Sequence, residues 1–442
     1  MPSLLFEKEK FMELIPTNLK KTSEYLMYAV FFCAFLCPIL YIIRLPLSSI
    51  TGLPLQSPPF IPIAALAGIG LLINYKLIIK NTRIFWPLFV WIGYAAITTL
   101  WSPDKLRGAM FIGVILCGFC AVGVFAEPAL KKKAEQGFLS GVTVMNLFMV
   151  MLYVQNSDIV DIVYTRFAYF VSQLDVNPNM WGFFQILAII IIFSWIIETK
   201  ADFQTHMLLG YNIWMLWLTN SRGAILPFFA VLAASVFLMN VSTDAGSRIK
   251  TVIIKRLKLL AASSFFFITL ILTTVMLIII PYGTTYSGSF FGASRIMTVE
   301  TLTDDNGREV IWRSMFARFF KSPTTVAFGA GNGGADVFTG QALSEYVAIY
   351  RGEVAAASPH SMYFLFLIEH GIIGFLLFCA FSVNIIITLL KRNRSMLIFL
   401  IPTIVSGLVV SVNTSPPFIL TLAIVLAYIC VEEEALEGWY TY

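Results

Sequence analysis

Residues 360–389, HSMYFLFLIEHGIIGFLLFCAFSVNIIITL, decide the class of fold. Among these 30 residues only Glu369 carries a formal charge, and most of the others are apolar. A helix needs about 20 apolar residues to cross the roughly 30 Å of hydrocarbon in a bilayer. This stretch therefore predicts a helix that spans a membrane.

The same composition extends along the whole chain of 442 residues. Apolar residues make up 58% of it and charged residues 12%, and the mean hydropathy is +0.82. Because soluble domains carry about 25% charged residues, this composition excludes a soluble enzyme, a disordered chain and a secreted disulfide scaffold. The net charge of +5 is small and dispersed, which argues against nucleic-acid binding.

Twelve stretches have the length and hydropathy of a membrane span. We therefore predict an all-α polytopic membrane protein with about 12 transmembrane helices, in which residues 1–442 form a single integral membrane domain. The predicted spans are 25–43, 60–79, 84–101, 107–126, 137–155, 180–197, 205–220, 223–240, 259–280, 360–389, 396–412 and 416–430.

The basic residues predict the orientation of these spans. With both termini in the cytoplasm, 19 of the 30 Lys and Arg residues fall on the cytoplasmic side. Five lie in short outer connections and six in one long outer loop. This asymmetry follows the positive-inside rule. Lys131–Lys133 is interpreted as part of the same topology signal.

The long outer loop, residues 281–359 between spans 9 and 10, is predicted to be an ordered helical subdomain. It contains six basic and seven acidic residues, so it is expected to cap the bundle or lie on the membrane surface rather than bind a polyanion. An amphipathic helix is predicted near 305–321, before Pro323. Its apolar stripe consists of Ile311, Trp312, Met315, Phe316, Phe319 and Phe320.

The sequence predicts neither a cofactor nor a metal. All six cysteines lie inside or at the ends of predicted spans, which predicts no disulfide and no metal cluster. The glycine-rich segment Gly329–Gly334 does not connect a strand to a helix, so it is not a nucleotide loop, and no Walker motif occurs. The energy for any bond formation must therefore arrive with the substrate.

His360 lies where the outer loop re-enters the membrane, and it is the candidate catalytic base. An imidazole titrates near neutrality and can accept a proton from a sugar hydroxyl; the alternative is a simple interfacial anchor. On a helix that begins near His360, Gly371 and Gly374 share its stripe, which predicts the close approach of a neighbouring helix. Glu369 lies about 180° around this helix and is predicted to pair with another span.

Several arginines lie on the outer side, against the general bias. Arg222 occupies a tight turn between two spans, and Arg308 opens the loop helix, followed by Arg313 and Arg318. A guanidinium is permanently charged and binds phosphate oxygens through two parallel hydrogen bonds. These residues indicate a phosphate-bearing lipid headgroup, the alternative being interfacial snorkelling.

Four short motifs occur in order on the predicted outer side, and we refer to them as the four motif patches. They are Asn177-Pro178-Asn179 with Gly182; Ser221-Arg222-Gly223; Gly307-Arg308 through Trp312 with Pro323 and Gly329-x-Gly331; and His360-Ser361 with Gly371 and Gly374. In order, spacing and sidedness they resemble the O-antigen ligase and polymerase superfamily of bacterial envelope glycosyltransferases.

The resemblance implies a metal-independent, inverting glycan transfer at the periplasmic face of the bacterial inner membrane, with no cofactor and no nucleotide. The donor would be a glycan on undecaprenyl diphosphate and the acceptor a sugar hydroxyl of lipid A-core in lipopolysaccharide biosynthesis. By this resemblance His360 is the catalytic base, and Arg222 and Arg308 hold the diphosphate. Further candidates for substrate binding, without a firm motif match, are Arg166, Asn179 and Arg313.

Three other functions remain open at this point. An O-antigen polymerase would use the same donor, and Arg318, eleven residues before Gly329, has a spacing similar to polymerase loops. A protein O-oligosaccharyltransferase is a related choice. A polysaccharide flippase or other carrier would need ionisable residues along a path through the membrane, whereas Glu369 is the one carboxylate predicted well inside a span. The absence of a repeat between the two six-span halves also weighs against a carrier.

Overall fold

The computed structural model describes residues 17–52, 57–80, 85–156, 178–198, 203–219, 221, 223–231, 308–347, 357–392, 396–408 and 415–431. These residues form α-helices, a short 3-10 helix at Pro58–Phe60 and their connections, and no strand occurs among them. The all-α prediction is confirmed for this part of the chain.

The helices are numbered here in chain order. They are α1 Thr17–Ile42, α2 Arg44–Thr51, α3 Ile61–Lys80, α4 Trp86–Thr99, α5 Lys105–Phe125, α6 Pro128–Asn156, α7 Pro178–Glu198, α8 Phe203–Leu218, α9 223–231, α10 Arg308–Phe319, α11 Pro323–Phe328, α12 Ala335–Tyr346, α13 Met362–Arg392, α14 Leu397–Gly407 and α15 Pro416–Cys430. Each predicted span except 259–280, which lies outside the described residues, overlaps one of them.

Several of these helices have the length and composition of membrane spans. Within the described ranges, the segments that are long and apolar enough are Thr22–Ile42, Pro58–Ile79, Lys105–Phe125 and Met362–Lys391. Shorter apolar helices accompany them. The architecture is therefore compatible with a polytopic membrane protein. The total of twelve spans and the extent of the 281–359 loop stay predictions.

Helices α1 and α6 pack along each other in the same direction. A Cβ atom on Gly137 would lie 2.2 Å from the carbonyl oxygen of Phe31, and one on Gly141 would lie 2.3 Å from that of Phe35. Only glycine allows two helix backbones to approach so closely, which is how small residues tighten membrane helix packing. Both helices therefore begin at the same end of the bundle.

Helix α15 forms the centre of the bundle. Every residue from Ile419 to Cys430 is buried, and the helix packs against α3, α5, α7, α13 and α14. Its start is fixed by Ser415, whose hydroxyl accepts a hydrogen bond from the Phe418 backbone N–H at 3.3 Å, and by Pro416 at the first helical position. A helix that is apolar all round needs partners on every side.

The bundle has two ends that the length of α5 separates. Its 21 residues correspond to about 30 Å at 1.5 Å per residue. Arg107 lies near its first residue, and Lys131 follows shortly after its last. We call the end with Arg107 the His360 end, because Arg107 pairs with Asp336 and the charge of Asp336 acts on His360. We call the opposite end the Lys131 end.

The interpretation of Lys131 as a topology signal alone is wrong. Its side chain is buried, and its ammonium group donates to the hydroxyl of Tyr428 at 2.7 Å and lies 3.6 Å from Glu135. Trp195 donates its indole N–H to the same carboxylate at 2.7 Å. Lys131 therefore belongs to a buried cluster that joins α6, α7 and α15. Sequence position alone does not distinguish it from the exposed Lys132.

Glu369, the one carboxylate predicted well inside a span, has a buried counterpart on α6. Helix α6 begins at Pro128, nine residues before the predicted span 137–155, so Glu135 lies within the helix and is 3% exposed. The charged residues at 131–135 depressed the hydropathy of this turn and hid its burial. Glu135 and Glu369 are thus two buried carboxylates at opposite ends of the bundle.

Candidate functional site at the His360 end

His360 has an unusual backbone conformation. Among the residues that the structure describes, it is the one non-glycine residue with a positive φ, 52°. The left-handed region costs a residue with a Cβ about 1–2 kcal/mol, and such strain concentrates at functional sites. The His360 backbone N–H donates to the hydroxyl of Ser358 at 3.2 Å, and its side chain is exposed. The imidazole is therefore presented at the surface just before α13 begins at Met362.

Helix α10 is held directly against the residues that precede His360. The indole N–H of Trp312 donates to the carbonyl oxygen of Pro359 at 2.8 Å. The rings of Trp312 and Phe316 each meet that of Phe364 edge to face, with centroids 5.0 Å apart. Two residues of the predicted apolar stripe thus pack on α13, whereas Phe320 at its end is exposed.

Two charges act on the His360 imidazole. Desolvation lowers the pKa of His360, and the positive charge of Arg308 at the start of α10 lowers it further, while the negative charge of Asp336 opposes this. The imidazole is therefore neutral at pH values where an unperturbed histidine is already partly protonated. A neutral imidazole at the surface can accept a proton.

The first two motif patches also meet. The hydroxyl of Ser221 donates a hydrogen bond to the side-chain carbonyl of Asn179, in the first turn of α7. A Cβ on Gly182 would collide with the Cβ of Ala224, which directly follows the turn at 221–223. Arg222 itself lies outside the described residues, but both of its neighbours are placed beside α7.

Helix α14 connects these two patches to the fourth. The hydroxyl of Ser406 donates to the carbonyl oxygen of Gly223 at 2.8 Å. One residue later, the carbonyl oxygen of Gly407 accepts a hydrogen bond from the hydroxyl of Ser361 at 3.2 Å. The four motif patches, which are far apart in the sequence, are therefore linked at one end of the bundle. No sequence signal pointed to Ser406 or Gly407.

The glycine-rich segment 329–334 enters a break in α13. At Gly371 the helix is interrupted, with φ 63° and ψ −172°. The carbonyl groups of Ile368 and Glu369 accept hydrogen bonds from the backbone N–H groups of Ala330 and Gly331, at 2.7 and 3.0 Å. The expectation that Gly371 and Gly374 share the stripe of His360 on one continuous helix is therefore wrong. The close neighbour at Gly371 is the 327–329 backbone.

Arg107 and Asp336 are site residues that the sequence reasoning missed. They form a salt bridge between the start of α5 and the first turn of α12. Arg107 lies on the predicted outer side, against the positive-inside bias, which is the signal that singled out Arg222. Asp336 had no signal beyond its place in the outer loop, because its nearness to His360 depends on tertiary contacts.

The remaining sequence candidates are distributed differently. Arg313 pairs with Glu309 on the exposed face of α10, and the structure does not bring it to His360. Arg318 binds Glu345 and Gln341, which fastens α10 to α12. Arg166 lies outside the described residues. All six cysteines are free, and within the described ranges no three His, Cys, Asp or Glu side chains form a group that could hold a metal ion.

The described contacts thus place His360, α10, Ser221 and Gly223 at one end of a helical bundle. Residues 205–379 match the family model of the O-antigen ligase. The match confirms the resemblance to the O-antigen ligase and polymerase superfamily, whose members are membrane glycosyltransferases. No curated protein matches the chain.

The O-antigen ligase match covers about two fifths of the chain. It includes the turn at 221–223, helices α10–α12, His360 and the break at Gly371. It supports an activity of the ligase or polymerase class on lipid-linked saccharides. Together with the apolar helices it indicates a multi-pass membrane protein.

Proposed function

We propose that the protein is an O-antigen ligase, which transfers a glycan from undecaprenyl diphosphate to a sugar hydroxyl of lipid A-core. The observation that carries this proposal is that the family match spans both α10 and His360, and that Trp312 of α10 donates a hydrogen bond to the residue before His360. In the proposed orientation the protein lies in the bacterial inner membrane with both termini in the cytoplasm. The His360 end then faces the periplasm, where both substrates are exposed.

In the proposed reaction His360 is the general base. Its neutral imidazole accepts the proton of the acceptor hydroxyl as the hydroxyl oxygen attacks the anomeric carbon of the donor. The bond between this carbon and the diphosphate oxygen breaks, and its electron pair leaves with the diphosphate. Attack opposite the leaving group inverts the anomeric configuration. The exposed position of His360 and its lowered pKa both suit this role.

The arginines stabilise the departing diphosphate in this scheme. Arg308 is the first residue of α10, so its guanidinium and the helix N-terminus both favour an anion there. Arg222 belongs to the turn that Asn179 and Ser406 hold in place through Ser221 and Gly223. Arg166 and Arg313 are further candidates for contacts to the glycan or the lipid headgroup. The diphosphate itself supplies the driving force, so we propose a reaction without metal, cofactor or nucleotide.

The intramolecular contacts of Arg318 bear on the polymerase alternative. Its hydrogen bonds to Glu345 and Gln341 give this residue a structural function, and it lies over the ring of Phe338. The spacing between Arg318 and Gly329 therefore has an explanation that requires no polymerase activity.

Deletion of the gene, followed by electrophoresis of the envelope glycolipids, tests the proposed function. A ligase deletion leaves lipid A-core without O-antigen while long lipid-linked polymer accumulates. A core that carries a single repeat would instead identify a polymerase. An unchanged glycolipid pattern would contradict both and favour a carrier or another pathway. The wild-type gene, supplied in trans, is the control.

A further inference from the structure

Glu369 is a buried carboxylate in the middle of the contacts at the His360 end. It is 4% exposed and lies two residues before the break in α13. A carboxylate inside a predicted span is expensive unless it is paired or hydrogen-bonded. Its hydrogen-bond partner among the described residues is a backbone N–H of α12 rather than a side chain of another span.

The Glu369 carboxylate faces the start of α12. One oxygen accepts a hydrogen bond from the Ala335 backbone N–H at 3.4 Å. Gly334, the N-cap residue of α12, has no side chain that could cap the N–H groups at the start of this helix. Glu369, which lies on α13, therefore caps the N-terminus of α12 in the way that an N-cap side chain of the same helix would. Its negative charge is also favourable at the positive end of the helix dipole.

Three other titratable groups surround this carboxylate. Arg107 and Asp336 act on it through their charges, and Arg107 is itself paired with Asp336. The second carboxylate oxygen lies 4.0 Å from Nε2 of His370, whose Nδ1 lies 3.3 Å from the hydroxyl of Thr98. The carboxylate thus lies among titratable groups of α5, α12 and α13.

The start of α12 is in turn connected to the segment that carries His360. The carbonyl oxygen of Asp336 accepts a hydrogen bond from the Ala357 backbone N–H at 2.8 Å. Ala357 lies three residues before His360, and Trp312 holds the intervening Pro359. A displacement of the first turn of α12 would therefore move both the Asp336 charge and the backbone that presents the imidazole.

We propose that Glu369 is a positioning residue for His360. From α13, Glu369 caps the N-terminus of α12 and thereby fixes Asp336 and residues 357–360. The expected effect on the transfer rate rests on the proposed function. The expected effect on hydrogen exchange rests on the described contacts alone. Glu369 itself has no contact with the reacting groups in this scheme.

Substitutions of Glu369 test the proposal in a reconstituted transfer assay. Glu369→Ala removes the cap, and we expect kcat to fall at least about tenfold, since small misplacements of a catalytic group are costly. The KM of the acceptor should change little. Glu369→Gln keeps an oxygen that can accept the Ala335 N–H, so it should retain most of the wild-type rate. Glu135→Ala and Glu135→Gln, at the other end of the bundle, are the matched controls and should transfer normally per folded molecule.

Hydrogen exchange of the same preparations supplies the readout that is independent of activity. In Glu369→Ala the peptides that cover 329–346 and 357–361 should exchange faster than in wild type, while Glu369→Gln and both Glu135 variants should not differ there. If wild type shows no transfer, the proposed function fails and this exchange pattern alone decides the positioning role. Full activity or unchanged exchange in Glu369→Ala would overturn the proposal. Equal loss of activity in both Glu369 variants with unchanged exchange would also overturn it.

Discussion

The two ends of the bundle each contain a buried carboxylate, but the partners of these carboxylates differ. Glu135 is bound by the side chains of Lys131 and Trp195, and Lys131 also lies over the ring of Tyr428. Glu369 is bound by the Ala335 backbone N–H at the start of α12. The two side chains are similarly buried, at 3% and 4% exposure. The difference between the two carboxylates therefore lies in their partners and not in their burial.

The Lys131 cluster joins membrane helices to each other, so its loss should affect the stability of the bundle. Glu369 joins a membrane helix to α12, which in turn is bonded to the segment that presents the candidate base. Its loss should affect the geometry of the site more than the stability of the bundle. A buried charge is thus informative about function when its partners belong to the loop that carries the chemistry.

The largest effect is expected from the loss of the base. His360→Ala should lower transfer by about 10²–10⁴-fold, the usual contribution of a general base. The measurement is the initial rate in proteoliposomes that contain the lipid-linked donor and the acceptor. His206→Ala, in the first turn of α8 at the Lys131 end, is the matched control and should remain active. A rate near wild type for His360→Ala would exclude this residue as the base.

Two arginines on α10 allow the candidate site to be compared with the exposed surface beside it. A lysine in place of Arg308 cannot bind the diphosphate through two parallel hydrogen bonds as a guanidinium can. We therefore expect Arg308→Lys to lower the transfer rate by about tenfold or more. Arg313→Lys should have a smaller effect, because Arg313 pairs with Glu309 on the exposed face. Steady-state rates of both variants decide this. A larger loss for Arg313 than for Arg308 would contradict the proposed position of the phosphate site.

At the Lys131 end a large loss of stability is expected without a loss of transfer. Glu135→Ala leaves the Lys131 ammonium buried and unpaired, which typically costs about 3–5 kcal/mol. The double variant Lys131→Met with Glu135→Leu removes both charges and should recover most of this stability. Thermal unfolding in detergent measures the effect. The prediction fails if the double variant is no more stable than Glu135→Ala.

The break in α13 gives a smaller effect on stability. Gly371→Ala places a Cβ on a residue with a positive φ and 2.4 Å from the carbonyl oxygen of Ala327. The backbone at 327–329 therefore cannot keep its position. We expect a loss of about 1–3 kcal/mol together with reduced transfer. Gly93→Ala in α4, where nothing lies within 4 Å of the new Cβ, is the control and should be neutral or slightly stabilising. Equal stability of the two variants would show that the break is not required.

The pH dependence of transfer should report the charges around His360. Because the neutral imidazole is the base and its pKa is lowered, the acid limb of kcat/KM should lie below the ordinary value of about 6.5. Asp336→Asn removes a negative charge that favours the protonated form, so the limb should move to still lower pH. Glu345→Gln is the control and should leave the limb in place. A shift to higher pH in Asp336→Asn would contradict the described electrostatics.

Much of the helical layout could be predicted from hydropathy, because long apolar runs such as that of α13 have few alternative structures. The break at Gly371 could not, since it depends on the 329–331 backbone entering from elsewhere in the chain. Lys131 could not be recognised as buried either, because its partner Tyr428 is far away in the sequence. Local periodicity gives the face of a helix but not its partner.

The candidate site was predictable to a similar extent. His360 and Arg308 follow from their residue types and motifs, and the structure packs α10, which begins at Arg308, against the residue before His360. Arg107 and Asp336 required the tertiary contacts between α5 and α12. The bridge through Ser406 and Gly407 required the position of α14, for which a serine and a glycine in an apolar run give no signal.

The most direct test of the proposed function uses the purified protein in liposomes with only a glycan on undecaprenyl diphosphate and lipid A-core. The initial rate of product formation is measured without nucleotide, in the presence and in the absence of EDTA. We predict that the glycan appears on the core at the same rate in both conditions and that undecaprenyl diphosphate is released. A lack of product, or a product that EDTA abolishes, would contradict the account.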